Sequence, residues 1–182
     1  HLWTAEYVYP PFAPAYQKLR KDWGRSTPPL NVIVTASGNL ELDRPVFQSA
    51  SVPTLIVTTD PGYTRLTKQA IPTSTQAISV GDTKTISAQS ILEAIRDAAR
   101  SNVILVEGGP RLFGGFLAEQ VVDELFLTLA PQIAGRDDLV QRPGLVSGKR
   151  FAPEHPLWGQ LVSLKRSESH LFLRYSCRQP VL

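Results

Sequence analysis

Two adjacent glycines and a proline separate a short apolar run from a second apolar segment near the middle of the chain. The apolar run covers residues 103–106, Glu107 follows it, and Gly108, Gly109 and Pro110 come next. Glycine lets the backbone turn with its amides uncovered, and proline suits the first position of a helix. A strand, a bare turn and a helix N-terminus can together bind a phosphate. The alternative is a tight turn without a ligand, because one glycine pair is weaker than a full dinucleotide-binding motif.

The elements that must position this turn follow from apolar periodicity and turn residues. Helices are predicted over residues 14–23, 87–100 and 110–120. Strands are predicted over residues 30–35, 52–59, 77–80, 103–106 and 124–129, followed by a hairpin of residues 161–166 and 170–177. Strands that alternate with helices indicate a largely parallel sheet, which the antiparallel hairpin closes.

Two local details accompany these elements. Ser87 is the predicted N-cap of the second helix, whose buried stripe we expect to be Ile91, Leu92, Ile95 and either Ala98 or Ala99. Asp60, Pro61 and Gly62 predict a turn that ends the second strand. The strand of residues 124–129 is expected to be buried.

Composition and charge argue against a membrane-spanning protein and against a nucleic-acid-binding protein. The 182 residues are 42% apolar and 19% charged, which is typical of one compact domain. No apolar run is long enough to span a membrane. The net charge of +3 comes from scattered pairs such as Lys149-Arg150 rather than from a basic patch with interleaved aromatics, so nucleic-acid binding is not expected. The single cysteine, Cys177, cannot form an internal disulfide and fits a cytoplasmic location.

A metal site is not expected either. The three histidines, His1, His155 and His170, are far apart in the sequence, and no cysteine accompanies them at the spacing of metal ligands. The chain contains no methionine and opens abruptly on His1. We expect residues 1–182 to be a single domain that is incomplete at its N-terminus.

Several motifs together resemble a known family. They are Val106-Glu107-Gly108-Gly109-Pro110, Val122-Asp123-Glu124-Leu125 and Leu129-Ala130-Pro131. These segments resemble the C-terminal reductase domain of the bacterial riboflavin-biosynthesis deaminase-reductase, which belongs to the dihydrofolate-reductase-like superfamily. The resemblance implies an α/β fold with helices on both faces of the sheet. It also implies an NADPH-dependent reductase that transfers a hydride to a small heterocyclic substrate, and a homodimer.

The resemblance also implies which residues contact the cofactor. The turn of Gly108, Gly109, Arg111 and Leu112 would surround the pyrophosphate of NADPH, together with Glu107. Thr35, Ser37 and Gly38 would meet the adenosine 2′-phosphate, since short hydroxyl side chains and a glycine form a small anion-binding concavity. We also place Thr58, near the end of the second strand, among the cofactor contacts. Arg44 lies downstream and could reach the 2′-phosphate. The alternative for the first turn is a simple strand ending.

The substrate side is expected to include Glu107, which faces the substrate in the resembling enzymes. Trp3, Glu6 and Tyr7 belong to an aromatic, proline-stiffened segment that could wall the pocket, where aromatic faces suit a flat heterocycle. The alternative is that this segment only packs on the core. A carboxylate satisfied by nearby amides is the alternative for Glu107.

Two family features are missing from this sequence. They are the opening Ser-Leu-Asp-Gly strand with its glycine-threonine loop, and the Asp-x-x-Leu-Thr-x-Arg segment that grips the phosphorylated ribityl substrate. We therefore expect a substrate other than the riboflavin intermediate. A non-catalytic nucleotide-binding module of the same fold is the alternative function. The exposed edge and two apolar faces of the C-terminal hairpin, with Leu171, Phe172, Leu173 and Tyr175, also favour a homodimer.

Overall fold

A computed structural model describes residues 13–25, 28–82, 84–99, 101, 103–133, 135 and 144–178. The chain divides into two compact units, His1–Val103 and Ile104–Leu182. The first unit contains α1 (Ala13–Asp22), β1 (Asn31–Thr35), α2 (Pro45–Gln48), β2 (Thr54–Thr58), α3 (Asp60–Leu66), β3 (Thr75–Ser79) and α4 (Ala88–Ala99). The second contains α5 (Pro110–Ala118), β4 (Glu124–Leu129), β5 (Gln160–Ser167) and β6 (His170–Ser176).

The first unit is built on a parallel sheet in the order β1-β2-β3. All five residues of the central strand β2 are buried. Ile56 belongs to a core cluster with Leu40, Leu42, Val46, Phe47 and Leu66. Its neighbours Leu55 and Val57 point to the opposite face and are buried as well. Both faces of the sheet are therefore covered, as expected for a parallel sheet in an α/β protein.

Helix α4 confirms the predicted cap. The Ser87 hydroxyl accepts a hydrogen bond from the Ser90 amide at 3.0 Å. The buried stripe consists of Ala88, Ile91, Leu92, Ala94 and Ile95. The expectation of Ala98 or Ala99 in this stripe is wrong, because both are exposed in the last turn of the helix.

The predicted turn at Asp60-Pro61-Gly62 is also wrong, since these residues begin α3. The hydroxyl of Thr59 caps the helix by accepting from the Gly62 amide at 3.2 Å. Pro61 lies in the first turn of the helix, where its missing N–H costs nothing. Proline and glycine after an aspartate therefore served as a helix start rather than as a chain reversal.

The second unit contains an antiparallel sheet in the order β4-β6-β5. The predicted hairpin of β5 and β6 is confirmed, and β4 adds a third strand on the other side of β6. The expectation that β4 is buried is wrong, because every residue except Leu125 is exposed in this edge strand. Its apolar composition alone could not distinguish a buried strand from an exposed edge.

The strand predicted over residues 103–106 is wrong for the described structure. These residues join neither sheet, although the helix that follows them begins at Pro110 as predicted. The segment lies at the boundary between the two units. An apolar run becomes a strand only where a neighbouring strand takes its amides and carbonyls, and the local sequence does not specify that neighbour.

Candidate functional site

The carboxyl end of the parallel sheet carries a row of hydroxyl side chains. In the register of the three strands, Thr35 of β1 is opposite Thr58 of β2, which is opposite Ser79 of β3. The loops that leave β1 and β2 start at this edge, which is where open α/β sheets bind ligands. The structure therefore brings together Thr35, Ser37, Gly38 and Thr58, four of the residues predicted from the sequence.

Two of these hydroxyls hold the turn that follows β1. Thr35 Oγ1 accepts from the Gly38 amide at 3.2 Å, and Ser37 Oγ accepts from the Asn39 amide at 3.3 Å. The two oxygens are 3.5 Å apart, so one hydroxyl can donate to the other. At least one hydroxyl hydrogen then remains to donate outward. This turn can offer an O–H to an anion without losing its own hydrogen bonds.

The same turn is fixed against α3 by its carbonyl groups. Thr59 Oγ1 donates to the Ala36 carbonyl at 2.7 Å, and Arg65 Nη1 donates to the Ser37 carbonyl at 2.7 Å. Gly38 lies directly on Gly62, since a Cβ on Gly38 would be 2.2 Å from the Gly62 carbonyl oxygen. Two glycines and two side-chain donors thus lock the turn onto the helix.

Arg65 is a candidate that the sequence analysis missed. Arg44, the arginine that the sequence placed downstream of the turn, forms an ion pair with Glu41 and donates from Nε to that carboxylate at 2.6 Å. Arg65 follows Ser37 by 28 residues in sequence, yet its guanidinium contacts the turn. No sequence signal marked it, because the contact depends on α3 beginning at Asp60.

Thr58 is enclosed rather than presented to a ligand. Its side chain is fully buried, and within the described structure its Oγ1 has no hydrogen-bond partner. A Cβ on Gly62 would be 2.1 Å from this oxygen, so the glycine provides the space that the hydroxyl occupies. The place of Thr58 among the cofactor contacts stays a prediction.

Ser79 and Asp60 are further residues at this edge that the sequence analysis did not select. The Ser79 hydroxyl donates to the Asp60 carboxylate, and the Asp60 amide donates to the Gly81 carbonyl at 2.8 Å. This negative charge is held at the end of β3. The guanidinium of Arg65 is held at the turn after β1, on the other side of β2.

The second group of predicted residues surrounds the N-terminus of α5. Gly109 is the N-cap with extended backbone, and no side chain caps the helix there. Pro110 is the first helical residue, so the amides of Arg111 and Leu112 have no intrahelical acceptor. A Cβ on Gly109 would meet nothing within 4 Å, which leaves open space next to these amides. This geometry suits an anion.

The flanking positions differ in their surroundings. A Cβ on Gly108 would be 2.4 Å from Leu112 Cδ2, so the leucine side chain packs over this glycine. Glu107 is exposed, and among the described residues no partner is recorded for its carboxylate. The Ser147 amide donates to the Pro110 carbonyl at 3.1 Å and holds a neighbouring loop to the first turn of α5. The place of Glu107 among the cofactor and substrate contacts stays a prediction.

The remaining predicted substrate residues, Trp3, Glu6 and Tyr7, lie outside the described residues. The described residues contain no group of three or more His, Cys, Asp or Glu side chains that could hold a metal ion. They also contain no helix that is long and apolar enough to cross a membrane.

Comparison with protein families gives a match over most of the chain. A family model described as the RibD C-terminal domain matches residues 9–169. The 2,5-diamino-6-ribosylamino-4(3H)-pyrimidinone 5′-phosphate reductase of Aquifex aeolicus is 29% identical over 123 residues, or 68% of this chain. These residues make up 53% of that protein, so the chain spans about half the length of the curated relative it matches.

Solved structures share the fold at low sequence identity. A pyrimidine reductase-like protein from Corynebacterium diphtheriae superposes with a TM-score of 0.64 at 22% identity, over 89% of this chain and 66% of that one. The riboflavin biosynthesis reductase Rib7 of Saccharomyces cerevisiae gives a TM-score of 0.57 at 14% identity, over 90% of this chain and 79% of that one. A deaminase/uracil reductase from Thermotoga maritima gives 0.62 at 19% identity, over 82% of this chain and 38% of that one. These similarities support the predicted dihydrofolate-reductase-like α/β fold.

Proposed function

The chain belongs to the RibD C-terminal domain family, and we propose that it is an NADPH-dependent reductase of a small heterocyclic substrate, of the pyrimidine reductase type. One observation carries the cofactor part of this proposal. The N-terminus of α5 has free amides at Arg111 and Leu112 beside the open space over Gly109. A bound nicotinamide cofactor supplies the hydride, and the protein's part is to hold and orient the reactants.

Two groups of residues are proposed to contact NADPH. Gly108, Gly109, Arg111 and Leu112 would hold the pyrophosphate through backbone amides and the positive end of the helix dipole. Thr35, Ser37 and Gly38 would meet the adenosine 2′-phosphate, supported by a hydroxyl hydrogen that remains to donate outward. Thr58 and Glu107 complete the proposed set. The backbone amides at the N-terminus of α5 and the hydroxyls of the turn after β1 can both donate hydrogen bonds to anionic parts of the cofactor.

A binding titration tests the cofactor. We expect the purified chain to bind NADPH more tightly than NADH, measured through the fluorescence of the reduced nicotinamide. Equal affinity for the two cofactors would contradict the assignment of NADPH. Absence of binding to either would remove the reductase proposal itself.

On the substrate side, we propose that Glu107 binds a hydroxyl or amine group, since its carboxylate is exposed. Glu107→Gln should lower turnover and leave thermal stability unchanged, because the side chain is exposed. Trp3, Glu6 and Tyr7 are also proposed to line the substrate pocket. Alanine at Trp3 and Glu6 should then weaken turnover without changing stability, whereas a loss of stability with normal turnover would mean that the segment only packs.

The substrate itself is proposed to differ from the riboflavin intermediate, because residues 1–11 stand where the family carries its ribityl-binding segment and do not match the Asp-x-x-Leu-Thr-x-Arg pattern. The pyrimidinone phosphate named for the Aquifex relative is the first compound to assay. NADPH oxidation with this compound would contradict the proposal of a different substrate. It would mean that the chain reduces the same compound as the Aquifex relative. A chain that binds NADPH but does not oxidise it with any heterocycle assayed would instead fit the non-catalytic nucleotide-binding module.

A homodimer is proposed from the antiparallel sheet of the second unit. One face carries aligned apolar residues, among them Leu127 opposite Leu173 and Leu129 opposite Leu171. Leu129 and Leu164 are more than half exposed, at 56% and 55%. Exposed apolar surface of this kind tends to be covered by a partner. Light scattering at micromolar concentration should give twice the monomer mass, and a monomer would contradict the dimer.

A cytoplasmic location is proposed as well. It is supported by Cys177, which is a free, half-buried thiol. Burial raises the pKa of this thiol, and the negative charges of Asp123 and Glu124 raise it further.

A further inference from the structure

We propose that Arg65 is the residue that selects the adenosine 2′-phosphate, and so makes the chain prefer NADPH to NADH. This inference rests on the proposed function, because it assumes that the turn of Thr35, Ser37 and Gly38 meets the adenosine end of the cofactor. Arg65 belongs to α3 and reaches this turn through a hydrogen bond from Nη1 to the Ser37 carbonyl.

A positive charge at the turn would favour a phosphate over a ribose hydroxyl. Hydroxyls and amides can bind a phosphate, but they do not distinguish a dianionic phosphate from a neutral ribose hydroxyl as strongly as a cation does. Arg65 brings a positive charge to within 2.7 Å of the Ser37 carbonyl oxygen. The other arginine near in sequence, Arg44, is neutralised by its ion pair with Glu41.

Arg65 also has more donors than the turn uses. A guanidinium has five N–H donors in a rigid fork, and the recorded bond to Ser37 uses one. Since the Arg65 side chain is exposed, the remaining donors can face a ligand. The bond to the carbonyl orients the fork next to the hydroxyls of Thr35 and Ser37. Phosphate recognition by arginine uses this combination of charge and paired donors.

The nearby negative charge of Asp60 is held on the other side of the central strand. Asp60 would repel a phosphate, but its carboxylate accepts from Ser79 at the end of β3. The turn after β1 lies on the opposite side of the central strand β2. The β1 side of the sheet edge is therefore the side that favours an anion.

The experiment compares two ligands that differ only in the 2′-phosphate, 2′,5′-ADP and 5′-AMP, by isothermal titration calorimetry. The wild-type chain should bind 2′,5′-ADP more tightly. Arg65→Gln should lower the affinity for 2′,5′-ADP by about 10- to 100-fold, which is the usual contribution of a charged hydrogen bond. The affinity for 5′-AMP should change by less than about 2-fold. Arg65→Lys keeps the positive charge but lacks the paired donors of the guanidinium. Its affinity for 2′,5′-ADP should lie between those of the wild-type chain and Arg65→Gln.

Arg96→Gln is the matched control, because it removes an exposed arginine of α4 that is not among the proposed cofactor contacts. It should leave both affinities unchanged. Circular dichroism and thermal unfolding establish that each variant is folded, which is expected since both side chains are exposed.

The outcomes separate this inference from the proposed function. If Arg65→Gln weakens both ligands equally, Arg65 only orders the turn, and the inference is wrong. It is also wrong if the variant keeps the preference for 2′,5′-ADP while the wild-type chain binds NADPH as proposed. If the wild-type chain binds neither nucleotide nor NADPH, the proposed function fails and the inference fails with it.

Discussion

The turn after β1 and the turn before α5 both place glycine next to backbone amides, but the two glycines differ in backbone angle and in the space around them. In the first turn, Gly38 has a φ of +63° and lies against the Gly62 carbonyl. In the second, Gly109 has an ordinary φ of −66° and nothing within 4 Å of its Cβ position. The fold itself requires glycine in the first turn. In the second, the fold leaves space that a ligand can use.

The amides of the two turns also differ, because those of the first turn already have acceptors and those of the second do not. The Gly38 and Asn39 amides already donate to Thr35 and Ser37. The Arg111 and Leu112 amides have no intrahelical acceptor. A glycine-rich turn is therefore not by itself a ligand site, since Gly38 serves close packing whereas Gly109 leaves donors accessible.

The largest expected effect is on stability, from Gly38→Ala. The new Cβ would be 2.2 Å from backbone, and the positive φ adds strain. We expect the free energy of unfolding to fall by about 2–4 kcal/mol, measured by urea denaturation. Gly24→Ala is the control, because Gly24 has a φ of +69° with nothing within 4 Å, and it should cost only about 1 kcal/mol. Equal losses in the two variants would show that the contact with Gly62 is unimportant.

The next effect is on cofactor affinity, from Gly109→Ala. A methyl group here enters the open space beside the free amides, so NADPH affinity should fall by about 10-fold or more. Stability should change by less than about 1 kcal/mol. Gly115→Ala in the same helix also meets nothing within 4 Å, and it should leave affinity unchanged while stabilising the helix. Unchanged NADPH affinity in Gly109→Ala would mean that the space over this glycine is not used.

A smaller effect is expected from Thr58→Val, which removes the buried hydroxyl that has no recorded partner. Removing an unsatisfied polar group should raise the free energy of unfolding by about 1 kcal/mol. Thr54→Val is the control, since Thr54 is also buried but donates to the Val46 carbonyl at 2.9 Å, and its loss should destabilise the chain. The proposed cofactor contact of Thr58 predicts in addition that this variant binds NADPH more weakly, and unchanged NADPH affinity would contradict that contact.

Local sequence was sufficient for the elements whose signals are local. The bounds of β4 are those predicted, Pro110 begins α5, and Ser87 caps α4. Each depends on residues a few positions apart. The same kind of signal was ambiguous at Asp60-Pro61-Gly62, where the residues that favour a turn also favour a helix start. The Thr59 cap decided it.

Features that depend on distant contacts could not be derived in this way. Arg65 reaches Ser37 across 28 residues, and Gly38 packs on Gly62 only because α3 begins where it does. The apolar run of residues 103–106 has the composition of a strand, but a strand also needs a partner. Residue type was sufficient to identify the two candidate turns. The packing of their glycines and the acceptors of their amides are visible only in three dimensions.

Hydrogen exchange followed by mass spectrometry, with and without NADPH, tests the central claim most directly. We expect added protection in both turns when NADPH is bound, at residues 36–39 and at residues 111–112. The increase should be larger at Arg111 and Leu112, because the Gly38 and Asn39 amides are already bonded in the free protein. NADPH binding without added protection at Arg111 and Leu112 would contradict the claim that the N-terminus of α5 holds the cofactor.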